Sequence, residues 1–488
     1  MMGVDAPGAA GAGSPAAVES PSPAGPDSPS PDSPSPESPP GPDSPSPESP
    51  AGVDSPSPES PTGPDSPSPD SPYRPDVIVI GGGLVGGALA LALAADGAAV
   101  AVVEAAPAAA AAQPSFDART LALTDNARRI FAGLGVWDDI AAHAEAILDI
   151  HISERGNCGM THLSCADVGG DALGYVVPGR AVGQALHRRL REHPAVDFHC
   201  PATAENLRQG RAEVTVSVST AAADAGESAA APAESTVTLA APLLVLADGG
   251  RSKLGAQTVG RAAATAYRQC AIVCVVETDR AHRGRAFERF TAEGPLALLP
   301  HSARRYAVVW SSELKNADAR MALSDDDFVD ALQAAFGDRA GNFSRPTARA
   351  RYPLEHGAAA RPAGRRVVSI GNAAHRVHPV AGQGFNLGLR DAVALAAVVA
   401  QARRENRDLG SDAVLAQYAE LRRRETARVG AFTDGLIRVF GNRAPAMRLA
   451  RNLGLAGLEF CPPAKRFLLR RTMGAAAMTE LAALAGAR

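Results

Sequence analysis

From about residue 76, the chain contains short apolar runs that are separated by glycine-rich turns. Residues 76–80 form an apolar run that stops at Gly81, which is typical of a buried parallel strand. The Ala- and Leu-rich segment at about 84–96 predicts a helix. Residues 100–103 predict a second buried strand, and this strand ends at Glu104. Together these elements form one βαβ unit, the repeating unit of a parallel sheet covered by helices.

Similar patterns continue along the rest of the chain. Apolar runs typical of buried strands lie at 243–247 and 367–370. Segments of alternating polarity predict a hairpin from 213–219 and 235–239, and an antiparallel sheet that includes 270–277 and 305–311. Helices are predicted in the later part of 118–134, a segment whose apolar positions include Leu121, Leu123, Ile130 and Leu134, and at 180–193, at 385–402 and beyond about 411.

The order of these elements predicts an α/β fold with two interleaved domains. The roughly 416 residues after the first 72 exceed one typical hydrophobic core. We assign residues 73–150, 178–262 and 363–410 to a discontinuous Rossmann-like nucleotide-binding domain. Residues 151–177 and 263–362 are assigned to an inserted β-sheet substrate domain, and residues 411–488 to a C-terminal basic helical region.

Residues 1–72 differ from the rest in composition. They contain little except Pro, Ser, Gly, Ala, Asp and Glu, so they are expected to form a disordered acidic tail with polyproline character. The chain has 48 Lys+Arg and 52 Asp+Glu, and 11 of these acids lie in the tail. The remaining 48 basic and 41 acidic side chains give a charge of about +7, which suits an anionic cofactor or lipid but does not predict nucleic-acid binding.

The cysteines and the chain start bear on location. The six cysteines form no Cys-x-x-Cys pair and no zinc spacing, so we expect reduced thiols, no metal and a cytoplasmic protein. The start has no basic region followed by an apolar run, so no signal peptide is predicted.

The turn after the first strand contains a Gly-x-Gly-x-x-Gly motif made by Gly81, Gly83 and Gly86. In this context the glycines allow a tight turn, close approach of a pyrophosphate, and close packing of helix on strand. Glu104 follows the next strand, where a carboxylate can accept hydrogen bonds from both hydroxyls of an adenosine ribose. The motif therefore predicts a dinucleotide site, with a glycine-rich turn beside a surface glutamate as the alternative.

Two later strands also end in polar or glycine residues. Asp248 follows a buried strand and precedes two glycines, so it either binds ligand hydroxyls or orders the loop. Gly371 and Asn372 end another strand, at the crevice where α/β sheets bind ligands. Backbone N–H groups at the start of the next helix would stabilise negative charge on a bound ligand, and the residues that lead into it are Pro379, Gly382, Gln383, Gly384, Phe385 and Asn386.

In this order, the three motifs resemble those of the class A flavoprotein monooxygenases, whose fold is that of para-hydroxybenzoate hydroxylase. Within that superfamily the chain resembles the ubiquinone-biosynthesis hydroxylases, and most nearly the branch that acts on 2-polyprenyl-6-methoxyphenols. The likeness covers about residues 74–430 and is carried by the stretches at 116–123, 133–137, 284–291, 294–300 and 378–391.

This resemblance implies a tightly but non-covalently bound FAD, held by the glycine, Glu104, Asp248 and 371–386 positions named above. It implies that Arg119 faces the phosphate or ribityl part of FAD, and that Gln184 contacts its ribityl or adenosine region. NAD(P)H would act as a transient reductant, and O2 would be used to hydroxylate a polyprenylated phenol. The protein then needs no nucleophile, and the catalytic residues are left unassigned. One departure is Asn372, because the wider superfamily has aspartate there; asparagine keeps the hydrogen-bonding ability of aspartate but loses its charge.

The C-terminal region is rich in arginine, with apolar residues between the charges. Basic amphipathic helices suit an anionic membrane surface or a partner protein, while simple docking onto the body is the alternative. Because a polyprenyl substrate dissolves in lipid, peripheral contact at the inner face of the membrane is an attractive hypothesis.

Two other functions stay open at this stage. A hydroxylase of a soluble aromatic acid would need a basic anchor for the carboxylate. A non-catalytic flavoprotein scaffold of a biosynthetic complex would carry a reducible flavin that never oxygenates a substrate. A flavin halogenase is disfavoured, because the Trp-x-Trp-x-Ile-Pro pattern is absent and Trp137 and Trp310 are the only tryptophans.

Overall fold

The computed structural model describes residues 72–107, 119–220, 235–260, 265–358, 362–378 and 382–473. The predicted disordered tail, apart from residue 72, and Pro379 therefore lie outside the described residues.

The strands are numbered in chain order and are β1 (Val77–Ile80), β2 (Val100–Val103), β3 (Thr120–Thr124), β4 (Glu145–Ile147), β5 (Asp149–Glu154), β6 (Met160–Ser164), β7 (Gly174–Pro178), β8 (Val196–His199), β9 (Ala202–Gln209), β10 (Val214–Thr220), β11 (Ser235–Ala241), β12 (Leu243–Leu246), β13 (Thr265–Thr278), β14 (Arg285–Thr291), β15 (Gly294–Ser302), β16 (Arg305–Glu313), β17 (Phe343–Ser344), β18 (Ala350–Ala358), β19 (Ala363–Gly364), β20 (Val367–Ser369) and β21 (His375–Arg376). The helices are α1 (Leu84–Ala95), α2 (Asp125–Gly133), α3 (Trp137–Ala141), α4 (Gly179–Glu192), α5 (Leu254–Thr258), α6 (Leu314–Met321), α7 (Asp325–Phe336), α8 (Gln383–Arg404), α9 (Asp412–Gly441), α10 (Pro445–Glu459) and α11 (Pro462–Thr472).

A six-stranded sheet forms the nucleotide-binding part, in the order β19-β20-β12-β1-β2-β8. Neighbouring strands are parallel except for β19, which pairs antiparallel with β20. The central strands β1, β2 and β12 are buried along their whole length. Such strands need apolar residues on both faces, which explains the continuous apolar runs in the sequence.

Helices α1, α4 and α8 pack with this sheet in one hydrophobic core. Helix α8 is long and apolar enough by composition to cross a bilayer, but 78% of its apolar window is buried inside the protein. We therefore interpret α8 as a core helix.

A second, nine-stranded sheet contains β18, β13, β16, β15, β14 and β5 as neighbours in that order. One face of this sheet packs against α6 and α7 in a core that includes Trp310, Phe328 and Phe336. The last strand on one edge is β21, which pairs with β18 and follows directly on the loop at Gly371. This sheet is therefore continuous with a loop of the nucleotide-binding part. We call it the substrate sheet below, because most of its strands lie in the segments assigned from the sequence to a substrate domain.

Most predicted elements are confirmed to within a few residues, but one differs. Leu121 and Leu123 lie on strand β3, which pairs antiparallel with β7, whereas for residues 118–134 we expected only a helix in the later part. The helix begins only after Thr124, whose hydroxyl accepts a hydrogen bond from the amide of Ala127. Capping of this kind fixes a helix start and leaves the preceding residues extended.

Candidate functional site

The glycine turn after β1 is shaped so that side chains could not be accommodated. Gly81 has φ +102°, and a Cβ there would lie 2.7 Å from the backbone of Ala247. A Cβ on Gly86 would lie 1.9 Å from the carbonyl oxygen of Gly81, so helix and strand touch directly. Gly83 is the N-cap of α1 and makes no side-chain cap hydrogen bond. The helix N-terminus is therefore open to an anionic group.

Glu104 and Asp248 follow the carboxyl ends of β2 and β12, the two parallel strands on either side of β1. Glu104 is 9% exposed, and its Oε1 accepts a hydrogen bond of 2.9 Å from the amide of Ala106. Asp248 Oδ1 and Oδ2 accept bonds of 2.9 Å and 2.7 Å from the amides of Gly250 and Ser252. Asp248 thus orders the loop, which is one of the two roles expected for it.

The loop after β20 lies against the glycine turn. Gly371 has φ +58°, and a Cβ there would lie 3.3 Å from Val85 of α1. Gly388 of α8 also lies against Val85, with a Cβ distance of 3.0 Å. Asn372 is exposed in the short 3-10 turn that follows. The two predicted cofactor loops are therefore packed together through Val85.

The N-terminus of α8 is a second helix start without a side-chain cap. Its N-cap, Gly382, has φ +62° and lies against Ala122, where a Cβ would be 3.0 Å from the Cβ of that residue. Gln383 is buried and its Nε2 donates to the carbonyl of Thr472, 3.2 Å away. Gly384 is half-buried in the first turn.

Phe385 and Asn386 mainly anchor this helix start. The Phe385 ring stacks on Phe131, with ring centroids 6.2 Å apart. Asn386 Nδ2 donates to the carbonyls of Ala122 and Gly382, both at 2.8 Å, and its Oδ1 accepts from the amide of Thr124 at 3.0 Å. Because its polar atoms bind the protein backbone, we expect Asn386 to act on a cofactor by holding the loop.

A buried ionic network supports the Gly371 loop from behind. Asp391 is 1% exposed, and its Oδ2 accepts from the amide of Gly371 at 3.0 Å and contacts His375 Nε2 at 2.5 Å. Its Oδ1 accepts from Arg422 Nε of α9 at 2.7 Å. Burial alone would raise the pKa of Asp391, but His375 and Arg422 hold it at about 2. His375 is thus engaged with Asp391 in ordering the loop.

Neither Asp391 nor Arg422 was predicted as part of the site. The sequence signal for Asp391 is an acidic residue within the apolar stretch of α8 that is otherwise buried. Arg422 belongs to the arginine-rich C-terminal region, whose charges were expected on the surface, but it is only 6% exposed. Glu425 binds both Arg422 and Arg390, which extends the network along α8 and α9.

Arg119 directly precedes β3, and its carbonyl accepts a hydrogen bond of 2.8 Å from the amide of Gly179, the first residue of α4. The Arg119 guanidinium carbon lies 4.7 Å from the centre of the Tyr352 ring on β18. Arg119 thus joins the start of β3 to the substrate sheet. Gln184 is exposed on α4.

Comparison with known proteins identifies the family. The model of the FAD binding domain family matches residues 74–433. The chain is 37% identical over 406 residues to ubiquinone hydroxylase UbiL of Rhodospirillum rubrum, covering 82% of this chain and 89% of that protein. It is 30% identical over 407 residues to 3-demethoxyubiquinol 3-hydroxylase of Escherichia coli, covering 82% and 98% respectively.

A solved structure shows the same fold. The crystal structure of p-nitrophenol 4-monooxygenase PnpA from Pseudomonas putida matches with a TM-score of 0.66 at 20% identity, over 83% of this chain and 99% of that one. The mixed α/β architecture with its C-terminal helices is therefore that of the para-hydroxybenzoate hydroxylase-like monooxygenases.

The residues present fit an FAD. Two helix N-termini without side-chain caps, at Gly83 and Gly382, suit an anionic pyrophosphate and the electron-rich edge of a flavin. The close contacts at Gly81 and Gly86 show that this turn has no room for side chains beside the helix N-terminus. The chain belongs to the FAD binding domain family and, within it, to the FAD-dependent aromatic hydroxylases of ubiquinone biosynthesis.

Proposed function

We propose that the protein hydroxylates a polyprenylated phenol of the 2-polyprenyl-6-methoxyphenol type, with O2 as oxygen source and NAD(P)H as a transient reductant. The names of the two relatives, ubiquinone hydroxylase and 3-demethoxyubiquinol 3-hydroxylase, do not agree on one substrate, so the substrate must be argued from the chain itself. The observation that supports a neutral, lipid-like phenol is the apolar character of one face of the substrate sheet.

That face is opposite the one covered by α6 and α7. Ile152, Ala297, Val309 and Val273 follow one another across β5, β15, β16 and β13, with Glu288 of β14 between the first two. Cross-strand partners share a face of a sheet, so these side chains form one row. All five are half-buried, which is expected for the wall of a cleft.

The row carries no lysine or arginine among its five residues. A soluble aromatic acid would need a basic anchor for its carboxylate, and Glu288 would instead repel it. An uncharged phenol with an apolar tail suits this wall better. The geometry therefore favours the ubiquinone-pathway substrate over the soluble aromatic acid.

The chain's own contribution is to bind and to exclude water. We propose that Gly81, Gly83, Gly86 and Glu104 hold the adenosine and pyrophosphate end of FAD. The ring end would be held by residues 371–386, Pro379 included, while Arg119 and Gln184 would complete the site. When bound, FAD supplies the redox chemistry that activates O2. The apolar sheet face would orient the phenol and keep water away from the reacting atoms.

The direct test is turnover by purified, FAD-loaded protein with NADH or NADPH. A 2-polyprenyl-6-methoxyphenol analogue, a 3-demethoxyubiquinol analogue and 4-hydroxybenzoate would be compared as substrates. We expect hydroxylated product from the first at the highest kcat/KM. Preference for 4-hydroxybenzoate would contradict the substrate proposal, and flavin reduction without any product would favour the scaffold alternative.

We also infer that the cytoplasmic protein docks peripherally on an anionic membrane surface through α10 and α11. Helix α10 differs from an ordinary surface helix because it exposes a stripe of apolar residues. Its outward stripe is free of charge and consists of Ala446, Leu449, Ala450, Leu453, Gly457 and Phe460, all of them exposed. Leu449, Leu453 and Phe460 are 61%, 64% and 85% exposed.

Two charged residues of α10, Arg451 and Glu459, face the protein instead. Arg451 is 7% exposed, and its Nε lies 3.0 Å from an oxygen of Glu154 on β5. Glu459 accepts from the amide of His162 at 2.7 Å and lies 2.9 Å from Lys465 Nζ. Burial would raise the pKa of Glu459, but Lys465 and the bonds from β6 hold it at about 2.

The exposed charges around this stripe have one sign. Between residues 443 and 473 the only acidic residue is Glu459, which is paired with Lys465, whereas the exposed cations are Arg443, Arg448, Arg466, Arg470 and Arg471. Apolar side chains flanked by arginine suit a bilayer that contains anionic lipid. A polyprenyl substrate would then be taken up from the same bilayer.

The docking proposal is tested by co-sedimentation with vesicles. Wild-type protein should bind phosphatidylcholine vesicles that contain phosphatidylglycerol more strongly than phosphatidylcholine alone. Leu453→Ser with Phe460→Ser should weaken binding by about tenfold or more, since burial of each side chain contributes about 1.5–3 kcal/mol. Val237→Ser, at a 40% exposed valine on β11, is the matched control. Self-association that the double variant abolishes, without vesicle binding by wild type, would contradict docking on lipid.

A further inference from the structure

Glu288 lies in the middle of β14 with its side chain on the cleft face of the substrate sheet. Its sequence neighbours, Phe287 and Arg289, face the other side: Phe287 belongs to the core under α7, and the Arg289 guanidinium lies 5.8 Å from the ring centre of Phe336. Successive side chains of a strand point to opposite faces, so Glu288 points away from that core.

The same face is closed at both sides of Glu288 by the C-terminal helices. Ala286, two residues before it, packs in a cluster with Leu469 of α11. Phe290, two residues after it, stacks on Phe440 of α9 with ring centroids 3.5 Å apart. Glu288 thus lies between two residues that the C-terminal helices cover. The residue as a whole is half-buried, but its carboxyl group is surrounded by protein atoms.

No described residue forms a hydrogen bond or ion pair with Glu288, and its cross-strand neighbours are Ile152 and Ala297. Two other ionisable groups near this face interact with other residues. Glu154 is paired with Arg451, and Arg119 lies over Tyr352. His301 is on the same strand face as Ala297, and burial, Arg305 and Arg180 lower its pKa. Burial alone raises the pKa of Glu288 to about 7.

An unpaired carboxylate on an apolar wall costs stability, so its presence suggests a task in the site. We propose that Glu288 binds the hydroxyl of the phenolic substrate and accepts its proton. The O–H bond breaks, the proton moves to a Glu288 oxygen, and the electron pair stays on the phenolate oxygen. The phenolate raises the electron density of the ring carbons that receive oxygen. This role rests on the proposed hydroxylation of a phenol.

The main test compares Glu288→Gln with wild type, both loaded with FAD. General-base catalysis contributes about 10²–10⁴-fold, so we expect product formation to fall by about a hundredfold or more, with FAD content and reduction by NAD(P)H unchanged. Wild-type hydroxylation should rise with pH through about 7 as the carboxylate ionises, whereas the variant should show no such step.

The thermal stability of the Glu288→Gln variant distinguishes a role in catalysis from a structural role. A carboxyl whose pKa is raised on folding from its model value of 4.5 to about 7 destabilises the folded state increasingly as the pH rises through that window. Glu288→Gln should therefore have an equal or higher Tm than wild type at pH 8. A variant that loses Tm and product together, or one that keeps wild-type product yield and pH profile, would overturn the proposal.

Glu277→Gln is the matched control, because Glu277 is on β13 of the same sheet and forms surface ion pairs with Arg305 and Arg345. It should leave activity within about twofold of wild type. A second measurement uses wild-type protein and an unreactive prenylated nitrophenol, whose phenolate is coloured. At a pH below the solution pKa of this probe, binding to wild-type protein should convert it to the coloured phenolate. A probe that stays protonated when bound would overturn the proposal. If wild type hydroxylates no phenol at all, the proposed function fails instead.

Discussion

At the scale of single residues, the strictest requirement is for glycine at position 86. The carbonyl oxygen of Gly81 occupies the place where a Cβ would be, at 1.9 Å. This contact brings α1 against β1 and so aims the helix N-terminus at the cofactor position. A larger residue would have to move the helix whose N-terminus we propose as the pyrophosphate site.

We predict that Gly86→Ala destabilises the protein by about 3 kcal/mol or more, at the upper end for an overpacked site, and that most FAD is lost on purification. Gly430→Ala is the control, since a Cβ there would meet nothing within 4 Å and alanine is the better helix former. Urea unfolding and the flavin absorbance per protein check both. Normal FAD content in Gly86→Ala would contradict the close-packing account.

At the scale of elements, the link between α8 and α9 decides whether the Gly371 loop is held in place. Asp391 of α8 binds the amide of Gly371 and the guanidinium of Arg422 on α9. The C-terminal helix thereby acts on a cofactor loop that it need not touch itself. Loss of the carboxylate would leave two buried arginines, Arg422 and Arg390, with Glu425 as their remaining acidic partner.

Asp391→Asn is expected to cost about 3–5 kcal/mol and to lower FAD affinity, because breaking a buried ion pair leaves a charge uncompensated. Asp434→Asn is the control, since it removes a largely exposed pair with Arg438 that contributes only about 0.3–0.5 kcal/mol. The contribution of Asp391 is complete above the ordinary pKa of 3.8 and is lost as the pH falls toward about 2. Equal stability of the two variants would argue against the network.

The elements also show what the sequence can and cannot predict. Strands β1 and β2 were predicted closely because continuous apolar runs bounded by glycine have few other interpretations. Leu121 and Leu123 are two residues apart, which is the period of a strand, but the strand that they form was not predicted. Arg422 and Glu288 were not assigned their roles, because those depend on which distant residues pack around them. The domain boundaries and cofactor contacts stay predictions.

At the scale of the whole molecule, the folded part and the first residues are expected to act independently. The family match begins at residue 74, and the glycine motif follows within the next ten or so residues. Deletion of residues 1–71 should leave FAD content and the free energy of unfolding unchanged. A truncated protein that no longer holds FAD would refute this expectation.

The whole account depends on one reaction, hydroxylation of a prenylated phenol by the FAD-loaded chain. The most direct measurement is mass spectrometry of the product formed from a 2-polyprenyl-6-methoxyphenol analogue, NAD(P)H and isotopically labelled O2. We predict one labelled oxygen atom on the ring of the product. Reduced flavin that only releases hydrogen peroxide with every phenol tested, or a protein that binds no FAD, would contradict it.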